Sequence, residues 1–282
     1  MSRKVRLSIM FAFMILGAVF LCLNNPIFLS SFLFVMGCMV ALWIVSLIVR
    51  DSSIVDIFWG FGFVLVVWFY AYTVSDGAFD NMRDLVLAAL VTIWGLRLTI
   101  HLGIRNIGKP EDFRYQQFRK EGGKNYWWIS FFRVYFLQGW LLWVISGVYF
   151  ISMDTGTELT TLDYVGIGIW AIGFYFETVG DIQLTRFKKN PANKGKVLDT
   201  GLWRYTRHPN YFGDAVVWWG FFMFALANPS GWMFIFGPLF MTYLLRYISG
   251  VPFLEASMSK NKAKYGDYME KTSVFFPLPP KG

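Results

Sequence analysis

Long runs of apolar residues, separated by short polar segments, dominate this chain from end to end. A membrane-spanning helix needs roughly 20 mostly apolar residues, and about eight runs approach that length. They cover residues 5–23, 27–49, 54–74, 85–104, 131–152, 164–184, 211–227 and 232–250. The pattern predicts an all-α, polytopic transmembrane helical bundle of about eight spans, with tight turns at Asn24-Asn25-Pro26 and at Asn228-Pro229-Ser230-Gly231.

The first apolar run could also be interpreted as a secretion signal, because it follows Met-Ser-Arg-Lys-Val-Arg. No small-residue cleavage site follows Leu23, however, and further apolar runs come after it. We therefore expect a retained first helix.

Charged residues are sorted between alternate loops. One set of loops is basic and holds Arg50; Arg105, Lys109, Arg114, Arg119, Lys120 and Lys124; and Arg186, Lys188, Lys189, Lys194, Lys196, Arg204 and Arg207. The other set is acidic and holds Asp76, Asp80, Asp84, Asp154, Glu158 and Asp163, with Arg83 as its base. The positive-inside rule then places the basic loops and both termini in the cytoplasm. This sorting accounts for the net charge of +8 without nucleic-acid binding.

Composition agrees with a membrane protein, since 56% of the residues are hydrophobic and only 16% are charged. Cys22 and Cys38 lie inside apolar runs without metal-ligand spacing, and we interpret them as small buried hydrophobes. No repeat or linker divides the chain, which predicts one membrane domain over residues 1–282. We expect this domain to lie in a bacterial inner membrane or an endoplasmic-reticulum-type membrane.

Ionisable and amide side chains inside the apolar runs are few, and such groups are costly in a bilayer. Those inside the runs or at their ends include Asp56, Arg97, His101, Glu177, Asp181, Gln183, Asn210, Asp214 and Arg246. Under the predicted topology all of them lie at the cytoplasmic ends of their helices, which favours a common site. Singly, the two arginines could extend to the interface, and Glu177 and Asp181 could form an ion-pair seam with Lys188.

The densest chemistry lies in Gly-Leu-Trp-Arg-Tyr-Thr-Arg-His-Pro-Asn-Tyr-Phe-Gly-Asp at residues 201–214. Pro209 suits the first turn of a helix, and a helix N-terminus attracts anions. Arg204, Arg207 and His208 beside it would make a phosphate site. Gly213 would let a flat ring or a ribose approach the helix closely.

This segment resembles the C-terminal signature of the steroid 5α-reductases and sterol C14-reductases and of their bacterial relatives. Glu177, Asp181, Leu184 and Lys188 resemble the helix that precedes the signature. Gly-Lys-Pro-Glu-Asp-Phe-Arg-Tyr at 108–115 resembles a cytoplasmic loop of the bacterial branch, and Val-Pro-Phe-Leu-Glu at 251–255 with Lys-Tyr-Gly-Asp-Tyr at 264–268 fits the ending.

The resemblance implies a reductase in which NADPH binds the C-terminal half, residues 105–282, from the cytoplasm. The helices of 1–104 would then face a hydrophobic lipid substrate, and hydride would pass to an activated carbon–carbon double bond. The cofactor would be bound by Glu177, Asp181, Lys188, Arg204, Tyr205, Arg207, His208, Asn210, Tyr211, Asp214, Arg246 and Glu255. The steroid enzymes polarise a carbonyl with a glutamate and a tyrosine. In this chain Asp56 could replace that glutamate, and His101 or Arg97 could replace the proton donor. No residue of this sequence can be matched to the tyrosine.

Two alternatives stay open. The Arg-His-Pro core also occurs in isoprenylcysteine carboxyl and phospholipid methyltransferases, which use S-adenosylmethionine. Those proteins commonly end in paired glutamates where this chain has Glu255 alone, and the extra bases Arg186, Lys188 and Lys189 favour a polyanionic cofactor. A non-catalytic lipid-binding or scaffold relative is the second alternative.

Overall fold

The fold was analysed in a computed structural model that describes residues 25–74, 77, 81–153, 155–248, 250–262 and 264–281. The predicted first span at 5–23, Cys22 and the loop residues Asp76, Asp80 and Asp154 lie outside the described residues. Among the residues described, every regular element is helical and none is a β-strand, which confirms the all-α class. The chain divides into two compact units, residues 1–158 and 159–282, which are described separately.

The described part of the first unit contains six α-helices: α1 Pro26–Val49, α2 Ile54–Val74, α3 Met82–Asn106, α4 Phe113–Gly122, α5 Tyr126–Ser130 and α6 Leu137–Met153. Asn25 caps α1 by accepting the backbone N–H of Ile27 at 2.9 Å, and Pro26 occupies the first turn, so the predicted turn starts the helix as its residues suggest. A short 3₁₀ turn, Gly123–Asn125, joins α4 to α5, and a π-helical segment, Phe131–Phe136, joins α5 to α6.

The core of the first unit lies between α2, α3 and α6. Phe63, Trp94 and Tyr149 are fully buried there, and the Phe63 ring meets both other rings at centroid distances of 5.8 and 6.3 Å. The α2 and α3 backbones approach closely at Gly60, where a Cβ atom would lie 2.4 Å from the Gly95 carbonyl oxygen. Small residues at such a contact are typical of helix packing within membranes.

Arg83, the single base among the acidic loops, is part of this unit's interior. Its side chain is 1% exposed at the start of α3 and donates to the Ser152 carbonyl. Arg83 therefore belongs to the helix packing, and Asp84 and Asp163 of the acidic set are buried as well.

Five α-helices lie among the described residues of the second unit: α7 Thr161–Lys189, α8 Pro209–Ala225, α9 Phe236–Tyr243, α10 Val251–Asn261 and α11 Tyr265–Lys271. Short 3₁₀ helices cover Pro191–Asn193, Gly201–Arg204 and Gly231–Ile235, and a π-helical segment, Leu244–Ile248, follows α9. A capping box between Thr160 and Asp163 begins α7.

Glycines spaced seven residues apart bring α7 and α8 into backbone contact. A Cβ atom on Gly173 would lie 2.5 Å from the Val217 nitrogen, and one on Gly166 would lie 2.8 Å from the Gly220 carbonyl oxygen. Near the other end of the pair, a Cβ atom on Gly180 would lie 3.1 Å from the Asn210 nitrogen. Since rising numbers on α7 meet falling numbers on α8, the two helices are antiparallel.

Five of the described helical segments are long and apolar enough to cross a membrane: Pro26–Val49, Ile54–Val74, Met82–Asn106, the interrupted run Phe113–Met153, and Thr161–Lys189. They agree with an integral membrane protein. The predicted seventh span corresponds to α8, of 17 residues, and the eighth to the shorter α9 with its π-helical end. The number of spans and the orientation of the termini remain predictions.

Candidate functional site

The start of α8 is the point where most of the predicted site residues of the second unit meet. Pro209 occupies the first turn, as predicted, and His208 is the residue that precedes it. Gly201, with a φ of 62°, begins the 3₁₀ helix that precedes α8. In that 3₁₀ helix, Trp203 donates its indole N–H to the Gly180 carbonyl of α7 at 3.1 Å. The segment that resembles the reductase signature is therefore fixed against α7.

Arg207 is fixed by groups from the C-terminal part of the chain. Its Nε donates to Glu255 Oε1 at 2.7 Å, and its Nη1 donates to the carbonyls of Met269 and Thr272, both at 2.8 Å. The Arg207 backbone N–H also donates to the Ser273 carbonyl at 2.8 Å. The guanidinium thus positions α10 and the segment after α11 beside the start of α8.

His208 is buried, with only 2% of its surface exposed. Its Nε2 lies 3.3 Å from Glu255 Oε1, and its ring stacks on Tyr211 with centroids 5.7 Å apart. Burial lowers the pKa of His208, so the ring is neutral at physiological pH. Burial alone would raise the pKa of Glu255, but the hydrogen bonds from His208 and Arg207 outweigh it and lower that pKa, so the carboxylate is ionised.

Acidic and amide side chains continue inward along the contact between α7 and α8. Glu177 is 2% exposed and Asp181 is 6% exposed. Asn210 donates to Asp181 Oδ1 at 3.0 Å, which joins the two helices. Asp214 lies one turn further along α8 and is half-buried.

The prediction for Gly213 is wrong. A Cβ atom there would lie 2.3 Å from the backbone nitrogen of Glu177 and 2.5 Å from the carbonyl oxygen of Gly173. The space beside Gly213 is occupied by the α7 backbone, so this glycine allows close helix packing and does not admit a ligand ring.

The remaining predicted cofactor residues of this unit lie around the buried groups. Lys188, Arg204 and Tyr205 are exposed at the end of α7 and in the 3₁₀ helix before α8. Arg246, in the π-helical segment, is half-buried with its guanidinium carbon 4.8 Å from the centre of the Tyr247 ring. Lys188 and Arg204 are thus exposed cations on the same elements, or next to the elements, that carry the buried acidic side chains.

The predicted catalytic residues belong to the first unit. Asp56 lies in the first turn of α2, where its Oδ2 accepts from Arg114 Nη2 at 2.6 Å and its Oδ1 accepts from the Tyr115 hydroxyl at 2.7 Å. Gln138 donates its side-chain N–H to the Tyr115 hydroxyl at 3.2 Å. Arg97 and His101 are half-buried on α3, one turn apart.

Arg114 and Tyr115 were missed as site residues by the sequence argument. Tyr115 is 3% exposed, although it belongs to a short, polar helix that looks like surface from its composition. The available signal was the loop sequence 108–115, which ends in these two residues. That loop contains a tyrosine, Tyr115, which contacts the predicted catalytic residue Asp56.

Three curated sequences are similar to this chain. An uncharacterised protein of Schizosaccharomyces pombe is 28% identical over 291 aligned positions, which cover 90% of this chain and 80% of the relative. A probable O-methyltransferase, ustE, of Ustilaginoidea virens is 40% identical over 73 positions, 25% of this chain and 26% of that protein. The Delta(14)-sterol reductase LBR of Gallus gallus is 30% identical over 131 positions, 42% of this chain and 18% of that protein. No solved structure matches the chain.

A family profile described as "protein of unknown function (DUF1295)" matches residues 42–272, which is most of the chain. The matched region includes Asp56, Tyr115 and the whole of the α7–α8 contact. Together with the similarity to a sterol reductase, it agrees with the resemblance found in the Arg-His-Pro signature. The chain belongs to the DUF1295 family, which is steroid 5α-reductase-like.

Proposed function

We propose that this protein is a membrane-embedded reductase that uses NADPH to reduce an activated carbon–carbon double bond in a hydrophobic, sterol-like or isoprenoid lipid. The observation that carries the proposal is the pairing, at the start of α8 and the end of α7, of exposed cations with buried hydrogen-bond acceptors. The partial similarity to a Delta(14)-sterol reductase supports the same reaction class. The basic loops support a cofactor site on the cytoplasmic side.

The residues at this site fit the chemical groups of NADPH. Asn210 Oδ1 and His208 Nδ1 are buried, and neither makes a hydrogen bond with any residue that the structure describes. Hydroxyl and carboxamide N–H groups are donors that would satisfy such acceptors. Arg204 and Lys188 would bind the phosphates, because guanidinium and ammonium groups are the usual phosphate ligands.

When bound, NADPH would supply the hydride, and the protein's part is to orient the reactants and polarise the acceptor. We assign that second role to Tyr115 and Asp56 of the first unit. Arg114 compensates the charge of Asp56, so the Tyr115 hydroxyl hydrogen can turn from Asp56 Oδ1 to a substrate carbonyl oxygen as negative charge develops there. The lipid would enter from the bilayer.

A methyltransferase is the second candidate function, and one observation favours it. The 40% identity to a probable O-methyltransferase is higher than the identity to the sterol reductase, although it covers fewer residues. The buried carboxylates Glu177 and Asp181 would also attract the positive sulfonium of S-adenosylmethionine. The basic rim distinguishes the two candidates, because S-adenosylmethionine carries no phosphate.

The first test is thermal stabilisation of the detergent-purified protein by NADPH, NADP⁺ and S-adenosylmethionine, measured side by side. A ligand at 100 times its dissociation constant stabilises the folded state by about 2.7 kcal/mol, which is visible as a shifted midpoint. We expect a shift with NADPH that Asn210→Ala abolishes and Asn125→Ala, at an exposed position, preserves.

Each outcome of this test points to one candidate. A shift with S-adenosylmethionine alone would overturn the reductase and support the methyltransferase. No shift with any of the three would support the non-catalytic relative. Retained NADPH binding in both Asn210→Ala and Asp214→Ala would show that the cofactor binds elsewhere. The midpoint of each variant without ligand shows that the loss is not an unfolding effect.

A further inference from the structure

Glu255 Oε1 is shared between two donors at the start of α8. Arg207 Nε lies 2.7 Å from it and His208 Nε2 lies 3.3 Å from it. An ionised carboxylate only accepts hydrogen bonds, so this contact is favourable only when Nε2 carries the ring hydrogen. In a neutral imidazole the other nitrogen, Nδ1, then has a bare lone pair.

The Nδ1 atom of His208 is buried, and no hydrogen-bond partner for it occurs within the described part of the chain. A buried polar atom without a partner is uncommon, and its presence suggests a missing group. The His208 side chain is 3% exposed, so bulk water does not easily supply that group.

From this geometry we infer that Glu255 is a positioning residue that fixes His208 as the Nε2–H tautomer, so that Nδ1 accepts a hydrogen bond from a donor group of the bound ligand. The ligand group is thereby restricted to a hydroxyl or an amide N–H. The tautomer follows from the protein alone, and only its use for a nicotinamide cofactor rests on the proposed function.

The surroundings of His208 hold the carboxylate in place. Arg207 is bonded to two backbone carbonyls as well as to Glu255, so its guanidinium has little freedom to turn away. Arg207 and Arg246 are the cations that act on His208, Glu255 is the anion, and the Tyr211 ring stacks on the imidazole. Both arginines disfavour a second proton on the ring, which keeps it neutral.

The test is ¹⁵N NMR of histidine-labelled protein in liposomes, because protonated and bare ring nitrogens have well-separated chemical shifts. The chain contains only two histidines, so the His101→Asn variant identifies the His208 signals by subtraction. We expect a bare Nδ1 and a protonated Nε2 in the unliganded protein. A protonated Nδ1 in the wild-type protein would overturn the inference by itself, before any variant of Glu255 is measured.

Three variants separate a positioning effect from a merely structural one. Glu255→Met removes the acceptor and should give a mixture of tautomers. Glu255→Gln keeps an acceptor oxygen of the same reach and should restore the wild-type spectrum. Glu270→Met, at an exposed position of α11, is the matched control and should leave the spectrum unchanged. An unchanged tautomer in Glu255→Met would refute the positioning role.

Ligand binding supplies the second readout. If the proposed function holds, Glu255→Met should weaken NADPH binding on the order of tenfold, the effect of losing one hydrogen bond. Addition of NADPH should also move the Nδ1 shift in the direction of a hydrogen-bonded acceptor. A protein with the expected tautomer but no response to NADPH would refute the proposed cofactor and leave the role of Glu255 supported.

Discussion

The backbone contact between α7 and α8 makes Gly213→Ala the most informative single substitution for the fold. The added Cβ would lie 2.3 Å from the Glu177 nitrogen, 2.5 Å from the Gly173 carbonyl oxygen and 2.8 Å from the Glu177 Cα atom. All three are backbone atoms of α7, so no side chain can turn aside to make room. The helices must separate locally, and their neighbouring contacts lengthen with them.

The magnitude follows from two opposing effects. Overpacking of a close contact costs about 1–3 kcal/mol, and alanine is favoured over glycine inside a helix by about 1 kcal/mol. Gly168→Ala on α7 isolates the second effect, because nothing lies within 4 Å of a Cβ atom there. The difference between the two variants is then the overpacking alone, about 1–3 kcal/mol.

The assay is equilibrium unfolding by sodium dodecyl sulfate in mixed micelles, followed by circular dichroism. We expect Gly213→Ala to unfold at a lower fraction of the denaturing detergent than the wild type, and Gly168→Ala at the same or a slightly higher fraction. Equal midpoints for the two alanine variants would refute the close contact of α7 and α8 at Gly213.

Three further predictions concern the polar groups. Arg207→Met should destabilise the protein by about 3 kcal/mol, because Glu255 loses its buried partner, whereas Arg186→Met at an exposed position should change the unfolding midpoint little. Stability should fall on acidification below about pH 6.5, because the lowered pKa of His208 lets the unfolded state bind more protons than the folded state. The pKa of Glu255 is also lowered, so this residue adds to the loss of stability at lower pH. An unfolding midpoint that does not change between pH 7 and pH 5 would contradict the predicted direction. Tyr115→Phe should remove a hydrogen bond to a carboxylate worth about 1.5–3 kcal/mol and abolish product formation in a lipid-enone assay, while NADPH still shifts the melting midpoint.

The fold class could be predicted from the sequence because the physical requirement is local. Residues 54–74 must be apolar to cross a bilayer, and the observed helix α2 has the same bounds. The Asn25-Pro26 helix start is equally local, since the cap and the proline act within one turn. The seven-residue spacing of glycines on α7 is also visible in the sequence. The sequence does not show, however, which helix packs against these glycines.

The site was harder to predict because its contacts join residues far apart in the chain. Tyr115 and Asp56 are separated by 59 residues, and no periodicity within either segment indicates that they meet. Gly213 was misassigned for the same reason, because a glycine that admits a ligand and one that admits a helix have the same local sequence. Arg207 was placed correctly at the start of α8, yet its partners in the C-terminal segment could not be deduced from its position.

The bonds of Arg207 also constrain the order in which the protein can mature during synthesis. Its partners are Glu255, Met269 and Thr272, which follow it by 48, 62 and 65 residues. A chain emerging from the ribosome therefore has Arg207 without its carboxylate and carbonyl acceptors until the C-terminal segment has been translated. A chain that ends between Asn228 and Glu255 would lack every one of these partners, and we expect it to be removed by cellular quality control although all five described candidate spans precede the break.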